Sequence, residues 1–433
     1  MLNRLLQQAE QAEVFEIESE ATKIGFEANQ MKSFNVEETR GVAARVVVDG
    51  RLGFAASSDL DATDKVVANA LESARHGDAI PTLRFPEPRP GPQVQVYDPE
   101  LAALPTDRLI EIGKEIIATV LEADADAHIN VALVRRVRKT GVRNNAGTEI
   151  AVQKAPFSVG LDVERVRGDD VLIIEEEFST AVKDEEGYRT CAQKIAEKLR
   201  LAQQASTLAS ARIPVLFSPS GTLALILPIL EGLNGKNVYR GISPMAERIG
   251  ETLFDAKLTL VDDPTLDGRP GSNSHDDEGV PCQRRALIED GTLRGFIYDL
   301  KTAAQAGVEP TGHGARGLFG PPSPSFSNLI LEAGETPLAE IIAGIDEGLL
   351  VEDVLGLGQG NITSGDFSNS LSLAFKIEGG EIVGRVKDVS IAGNVYQDLC
   401  NIEALSQETA WVQSGLRAPY ILLPELNVVT KED

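Results

Sequence analysis

The stretch RVVVDGRLGF, residues 45–54, carries two short runs of β-favouring residues on either side of an Asp-Gly pair. Asp49 and Gly50 suit the positive φ angles that a two-residue hairpin turn requires. The stretch therefore predicts two antiparallel strands joined by a tight turn, and it indicates a fold that contains antiparallel sheet.

The segments around this hairpin alternate between helical and strand patterns. Apolar residues recur at helical spacing in residues 2–9, whereas Val14–Glu20 alternates as a strand does. Gly77 is the predicted C-terminal cap of one amphipathic helix, and Thr106 is the predicted N-cap of the next. Between them, seven prolines in residues 81–105 predict an irregular or extended segment.

The second half of the chain is predicted to consist mostly of sheet. A long polar-faced helix, Asp184–Leu208, precedes the apolar strand Ile213–Phe217, and Ser218–Leu233 is apolar enough to be a buried element. The pairs Asp290-Gly291 and Gly379-Gly380 predict further hairpins. We therefore predict an α+β protein with large, mostly antiparallel β-sheets flanked by helices, divided into domains 1–210 and 211–433.

Composition narrows the class of function. Lys plus Arg is 41 against 66 for Asp plus Glu, a net charge of −25, which disfavours direct binding to nucleic acid. The chain has no apolar run long enough to cross a membrane, and its first twenty residues contain no apolar block of the secretory type. Three widely separated cysteines fit reduced thiols. We expect a cytoplasmic protein without membrane contact.

The four histidines do not form a zinc-binding pair of the HExxH or HExxxH type. His76 and His128 are interpreted as structural. His275 lies in a turn rich in ligand-type side chains, but the spacing is that of an ordinary solvated loop.

Two glycine-rich segments are candidates for binding loops. Thr311–Gly317 is interpreted as a tight loop in which Gly312, His313 and Gly314 are candidates for contact with a peptide, because glycines allow close backbone approach. Gly356–Gly360 lacks the Lys-Ser/Thr and the helix of a phosphate-binding loop, so nucleotide binding is not predicted.

Several longer strings follow one another in the second half of the chain: Asp277–Val280 followed by Arg284-Arg285 and Ile288–Gly291, then Thr311–His313, Ile362–Ser368 and Ser390–Asn394. In that order they resemble the C-terminal half of the TldD/PmbA family, whose members have also been called modulators of DNA gyrase. Their order over more than a hundred residues is more specific than any one of them. The N-terminal half resembles the family in layout alone.

The resemblance is to the PmbA/TldE branch, which lacks the zinc motif. In the TldD branch a Gly-Leu-x-Gly segment follows HExxxH, and a loop near the C-terminus contains a cysteine. Counting back from Gly232–Gly235 places Ile226, Leu227 and Glu231 at the His, Glu and His positions, and Ser414–Arg417 has no cysteine. Since isoleucine cannot coordinate zinc, the resemblance implies a degenerate metalloprotease site, with no catalytic residue and no metal in this chain.

The resemblance implies a partner subunit that pairs with a TldD-type, zinc-containing chain, or with a second copy of itself, and acts on extended, unfolded peptides. Two alternatives stay open at this stage. One is a non-catalytic module that captures peptides by adding a strand to a sheet edge. The other is an independent hydrolase with a different site, built around His275 and His313.

Overall fold

The structure is a computed structural model that describes residues 1–168, 170–359 and 362–431, so Gly360 of the glycine-rich run lies outside the described residues. It contains strands β1 (Gln11–Glu27), β2 (Gln30–Val48), β3 (Arg51–Ser57), β4 (His128–Asn144), β5 (Glu149–Lys154), β6 (Phe157–Arg167), β7 (Asp170–Thr180), β8 (Ala205–Ser206), β9 (Ala211–Phe217), β10 (Leu260–Asp262), β11 (Arg285–Glu289), β12 (Thr292–Leu293), β13 (Gly314–Ala315), β14 (Ser323–Pro324), β15 (Leu329–Leu331), β16 (Glu347–Val354), β17 (Asp366–Glu378), β18 (Glu381–Val386), β19 (Val389–Asn394), β20 (Ala404–Val412) and β21 (Leu416–Thr430). The helices are α1 (Leu2–Leu5), α2 (Thr63–Ala74), α3 (Pro99–Ala102), α4 (Thr106–Ala123), α5 (Gly187–Leu201), α6 (Leu223–Leu233), α7 (Gly235–Tyr239), α8 (Leu300–Ala306), α9 (Leu338–Ala343) and α10 (Val395–Asp398).

The first sheet is antiparallel and has seven strands in the order β3-β2-β1-β4-β6-β7, with β5 paired to β4. The predicted hairpin joins β2 to β3: Val48 lies opposite Arg51, and the turn residues Asp49 and Gly50 have φ angles of 49° and 68°. Strand β2 begins at Gln30, well before the hairpin, and pairs with β1 from that residue onward. The hairpin prediction is therefore confirmed, although β2 is much longer than the sequence pattern indicated.

The second sheet has twelve strands, of which the central path is β12-β11-β10-β15-β21-β9-β16-β17-β18-β8. Most neighbours are antiparallel, and parallel pairs occur where β9 meets β16, β15 meets β21 and β8 meets β18. The prediction of an α+β fold with large, mostly antiparallel sheets is confirmed. The division at residue 210 stays a prediction, and β8 lies before it yet pairs with the second sheet.

One hydrophobic core contains residues of both sheets and of the helices α4 and α5. Val131 comes from the first sheet, Ile116 and Ile195 from the two helices, and Phe375 from the second sheet. Both helices have one apolar face of buried residues, which suits a position against a sheet. The two sheets are therefore held in a fixed relation by a shared core as well as by the chain connection.

Three local predictions were wrong. Helix α4 takes Pro105 rather than Thr106 as its N-cap, because proline's extended backbone is already suited to that position. Helix α2 ends at Ala74, and Arg75 is its C-cap. Glycine is needed at position 77 for another reason, because a Cβ atom there would collide with the carbonyl oxygen of Leu52. The helix expected over residues 184–208 is the shorter α5, since the strand β8 follows it.

In the described part of the chain, no helix combines the length and the apolar character that a bilayer crossing needs.

Candidate functional site

Helix α6 contains Ile226, Leu227 and Glu231, the positions that the sequence comparison predicts to correspond to the zinc motif. Its sequence LALILPILEGL is apolar on nearly every face, which is typical of a helix enclosed by protein. Pro228 lies inside it and cannot donate a backbone hydrogen bond, but its carbonyl accepts one from the Tyr396 hydroxyl at 3.1 Å. The predicted buried element is therefore this helix.

The three corresponding positions point in different directions. The Ile226 side chain is 0% exposed and belongs to the core of the second sheet. Leu227 lines a cleft of about 470 Å³ between α6 and the start of β17. Glu231 is exposed and accepts a hydrogen bond from Asn237 Nδ2 at 2.7 Å. Isoleucine and leucine side chains carry no atom that can coordinate zinc, so of these three positions only Glu231 has a potential ligand.

The segment that matches the cysteine loop of the TldD branch is the turn between β20 and β21. The Ser414 hydroxyl contacts Glu177, and its carbonyl accepts a hydrogen bond from Arg269 Nη2 at 2.7 Å. The three cysteines lie elsewhere and are free, Cys191 and Cys282 being buried and Cys400 exposed. In the residues that the structure describes, no group of three or more His, Cys, Asp or Glu side chains could hold a metal ion. The side chains present do not fit a zinc ion.

The strings that carry the resemblance come together in two places. Ile362–Ser368 and Ser390–Asn394 meet beside α6, where Asn394 Nδ2 donates to Asp366 Oδ1 at 2.7 Å and to the Ser364 carbonyl at 3.1 Å. Gly365 has a φ of 77° and lies so close to the Tyr396 ring that a Cβ atom would collide with it. These contacts support one side of α6, so packing accounts for the residues of both strings.

A buried network of charged side chains, which includes Glu278 of the string Asp277–Val280, joins the halves of the chain. Arg45 Nη1 lies 2.5 Å from Glu278 Oε1, and Arg45 also binds both Glu13 carboxylate oxygens, at 3.0 and 2.7 Å. Arg316 lies 2.7 Å from Glu13 and stacks over the Phe15 ring. Glu278 Oε2 accepts a hydrogen bond from the Leu300 amide at the start of α8. The first sheet is thus tied to loops of the second half by buried side chains.

Burial and charge oppose each other in this network. Burial alone raises the pKa of Glu13, but Arg316 and Arg45 outweigh that effect and the net pKa is lowered. Burial raises the pKa of Glu278 to about 7. The positive charge of Arg45 lowers this pKa, but the negative charges of Asp299 and Glu13 offset part of that lowering. Asp276 is buried beside Glu278, and both effects raise its pKa.

The loop of Gly312, His313 and Gly314 lies inside the protein. His313 Nε2 is 3.0 Å from Asp262 Oδ2, and Nδ1 is 2.9 Å from the Thr311 carbonyl. The Gly314 amide donates to Asp276 Oδ2 at 2.8 Å. Contact between this loop and a peptide stays a prediction, and it would require the loop to open. His275 likewise has a local partner, the Arg89 carbonyl at 2.9 Å from Nε2.

A second cleft, of about 740 Å³, lies between the two sheets, and we call it the acidic cleft. Its walls come from β1, β4, β6 and β7 on one side and from the start of α6, β16 and the β20–β21 turn on the other. Six carboxylates line it: Glu27, Asp162, Glu175, Glu176, Glu177 and Asp353. The sequence analysis missed this site because, apart from the run Glu175–Glu177, its residues are far apart along the chain.

Comparison with known proteins gives the class first. The sequence profile of the PmbA/TldA metallopeptidase C-terminal domain matches residues 210–430, and that of the PmbA/TldA metallopeptidase domain 1 matches residues 12–75. The scaffold is therefore that of a metallopeptidase. The chain belongs to the TldD/PmbA family, as the strings in its C-terminal half predicted.

Individual relatives agree with this assignment. The metalloprotease PmbA homologue of Haemophilus influenzae is 25% identical over 416 residues, covering 91% of this chain and 87% of the relative. The metalloprotease TldD homologue of the same organism is 31% identical over 220 residues, but the match spans only 45% of that protein. The crystal structure of TldE from Thermococcus kodakarensis has a TM-score of 0.90 at 24% identity, covering 99% of this chain and 98% of that one, and it establishes the likeness of fold.

Proposed function

We propose that this chain is a non-zinc-binding subunit that pairs with a TldD-type, zinc-containing metalloprotease subunit in the cytoplasm and helps it act on unfolded peptides. The observation that carries the proposal is that Ile226 and Leu227 have no atom that can bind a metal ion, and that Ile226 lies in the core. Without those ligands this chain would supply no Lewis acid and no activated water. The zinc would belong to the partner.

The surface of the first sheet supports a role in assembly. The outer part of β2, residues 30–40, is exposed throughout, and β3 pairs only with Val42–Val48. Met31, Phe34 and Val36 are exposed apolar side chains on this stretch. An exposed apolar strand edge is a ready site for pairing with another chain. A TldD-type subunit, or a second copy in its absence, is the partner that we expect there.

The test is a reconstitution with metal analysis. The chain purified alone should contain no stoichiometric zinc and cleave no unfolded peptide, whereas addition of a TldD-type subunit should give a zinc-containing complex that does. About one zinc per chain that resists dialysis would contradict the proposal, because a catalytic zinc keeps three protein ligands. A complex whose activity is the same with and without this chain would also contradict it.

A further inference from the structure

The acidic cleft has an unbalanced charge. Among its described lining residues there is no lysine, arginine or histidine to set against the six carboxylates. Lys198 Nζ lies 2.8 Å from Glu176 and 3.1 Å from Glu352. The single positive charge of Lys198 is therefore shared between two carboxylates. The remaining carboxylates face the cleft without a cation that would balance them there. Such a lining favours a positively charged occupant.

Asp353 distinguishes this cleft from an ordinary solvated acidic surface. The register between β16 and β17 shifts on both sides of Asp353, and such a bulge can re-aim a side chain. Asp353 Oδ2 is shielded from solvent and accepts no hydrogen bond from any residue that the structure describes. Burial raises the pKa of Asp353 to about 7. The positive charge of Lys198 offsets only part of that increase, and the negative charges of Glu352, Glu176 and Glu175 add to it. A buried carboxylate oxygen without a partner is costly unless a ligand supplies one.

The dimensions of the cleft fit an organic cation better than a metal ion. Its volume of about 740 Å³ lies within the range of small-molecule sites, and its carboxylates do not form a group that could hold a metal. Ala132 and Gly160 lie on the first-sheet side of the cleft, and a Cβ atom added at Gly160 would meet nothing within 4 Å. Trp411 adds an apolar wall. An extended backbone could lie on this floor with a long cationic side chain among the carboxylates.

We propose that the acidic cleft binds a lysine- or arginine-bearing segment of an extended peptide, with the cationic group paired to Asp353. This proposal rests on the proposed function for the peptide nature of the ligand, and it adds a preference for basic residues. The apolar stem of Lys or Arg would pack against Trp411 while its charged end reaches the carboxylates.

The direct test measures the binding of a fluorescent nine-residue peptide with two arginines to the purified full-length chain. An otherwise identical peptide with citrulline at both positions should bind at least about tenfold more weakly, as a lost charged hydrogen bond implies. Asp353→Asn should weaken arginine-peptide binding by a similar factor, while Glu335→Gln, which removes an exposed carboxylate outside the cleft, should leave it unchanged. Equal binding of the two peptides, or unchanged affinity in Asp353→Asn, would overturn the proposal.

A second variant tests the position of the backbone. Gly160→Val adds a β-favouring side chain into open space, so it should preserve the fold and its melting temperature yet block peptide binding. Unaltered binding by this folded variant would exclude the floor of the cleft as the site. In a competition arm, free spermidine that binds more tightly than the arginine peptide would assign the cleft to polyamines and overturn the peptide proposal.

The pH dependence gives an independent readout. Lowering the pH from about 8 to about 6 protonates Asp353 and should weaken binding in the wild type but not in Asp353→Asn. These binding measurements use no TldD-type subunit. A failure to bind the peptide would therefore not contradict the reconstitution result, and a failed reconstitution would not contradict peptide binding.

Discussion

Arg45 is the residue through which the two halves of the chain are joined electrostatically. It is fully buried and shared between Glu13 of β1 and Glu278 of the second half. Removing one partner of a buried ion pair leaves an uncompensated charge, which usually costs more than the pair contributes. The family-like string Asp277–Val280 is thus explained by a structural need, since Glu278 pairs with Arg45 of β2 and Asp277 lies 3.9 Å from Arg138 of β4.

We expect Arg45→Met to lower the free energy of unfolding by about 3–5 kcal/mol, because Glu278 loses its cation and Glu13 keeps only Arg316. The carboxylates left behind should hold their protons to higher pH, so the loss should shrink as the pH falls from about 8 to about 5. Urea denaturation at both pH values measures this. Arg294→Met, which removes an exposed arginine paired with Glu289, is the control and should change stability by less than about 0.5 kcal/mol. A pH-independent loss would contradict the ionic explanation.

Restoring the zinc motif at Ile226 should not restore the site. The triple variant Ile226→His, Leu227→Glu, Glu231→His should show no peptide cleavage and no stoichiometric zinc, because Ser414–Arg417 would still supply no cysteine and the groups that support the ligands would still be missing. A polar ring in place of a side chain with 0% exposure should also cost about 2–5 kcal/mol. Glu231→His alone should be neutral. Cleavage by the triple variant would show that the rest of the site is intact.

At the scale of single elements, the sequence predicted what local physics controls. The Asp49-Gly50 turn and the apolar helix of Ser218–Leu233 were predictable because turn chemistry and burial are properties of neighbouring residues. The outer length of β2 was not, since residues 30–40 are exposed and pair only because β1 is beside them. Helix ends failed for a related reason: Gly77 is required by Leu52, which packing brings near, rather than by the helix itself.

The Gly-Leu-x-Gly segment that set the register on α6 is itself explained by close packing. A Cβ atom on Gly235 would collide with the Tyr298 ring and lie 2.5 Å from the Ile297 carbonyl oxygen. We therefore expect Gly235→Ala to cost about 1–3 kcal/mol by overpacking, seen as a lower melting temperature. Gly295→Ala is the matched control, because its Cβ would meet nothing within 4 Å, and it should lie within about 0.5 kcal/mol of wild type. Equal effects of the two changes would refute the packing explanation.

At the scale of the whole molecule, the sequence predicted the family but not the acidic cleft. Family strings are contiguous, so they can be recognised without a structure. The cleft depends on how two sheets face each other across α4 and α5, and its Glu27 and Asp353 are brought together by that packing alone. The net charge of −25 gave no indication that several carboxylates would be concentrated at one site.

The free edge of β2 predicts how the molecule assembles. Phe34 and Val36 are each 51% exposed on a strand whose outer side has no strand partner among the described residues beyond Val42–Val48. We expect an oligomer at micromolar concentration, alone or with a TldD-type subunit, through an interface that buries upwards of about 2,000 Å². Phe34→Lys with Val36→Lys should give a folded monomer in sedimentation, because charges on an edge strand oppose pairing. Ile249 is 59% exposed in the second half of the chain, so Ile249→Lys is the matched control and should keep the oligomer. If only Ile249→Lys gives a monomer, the interface lies on the second domain and the β2 edge has another use.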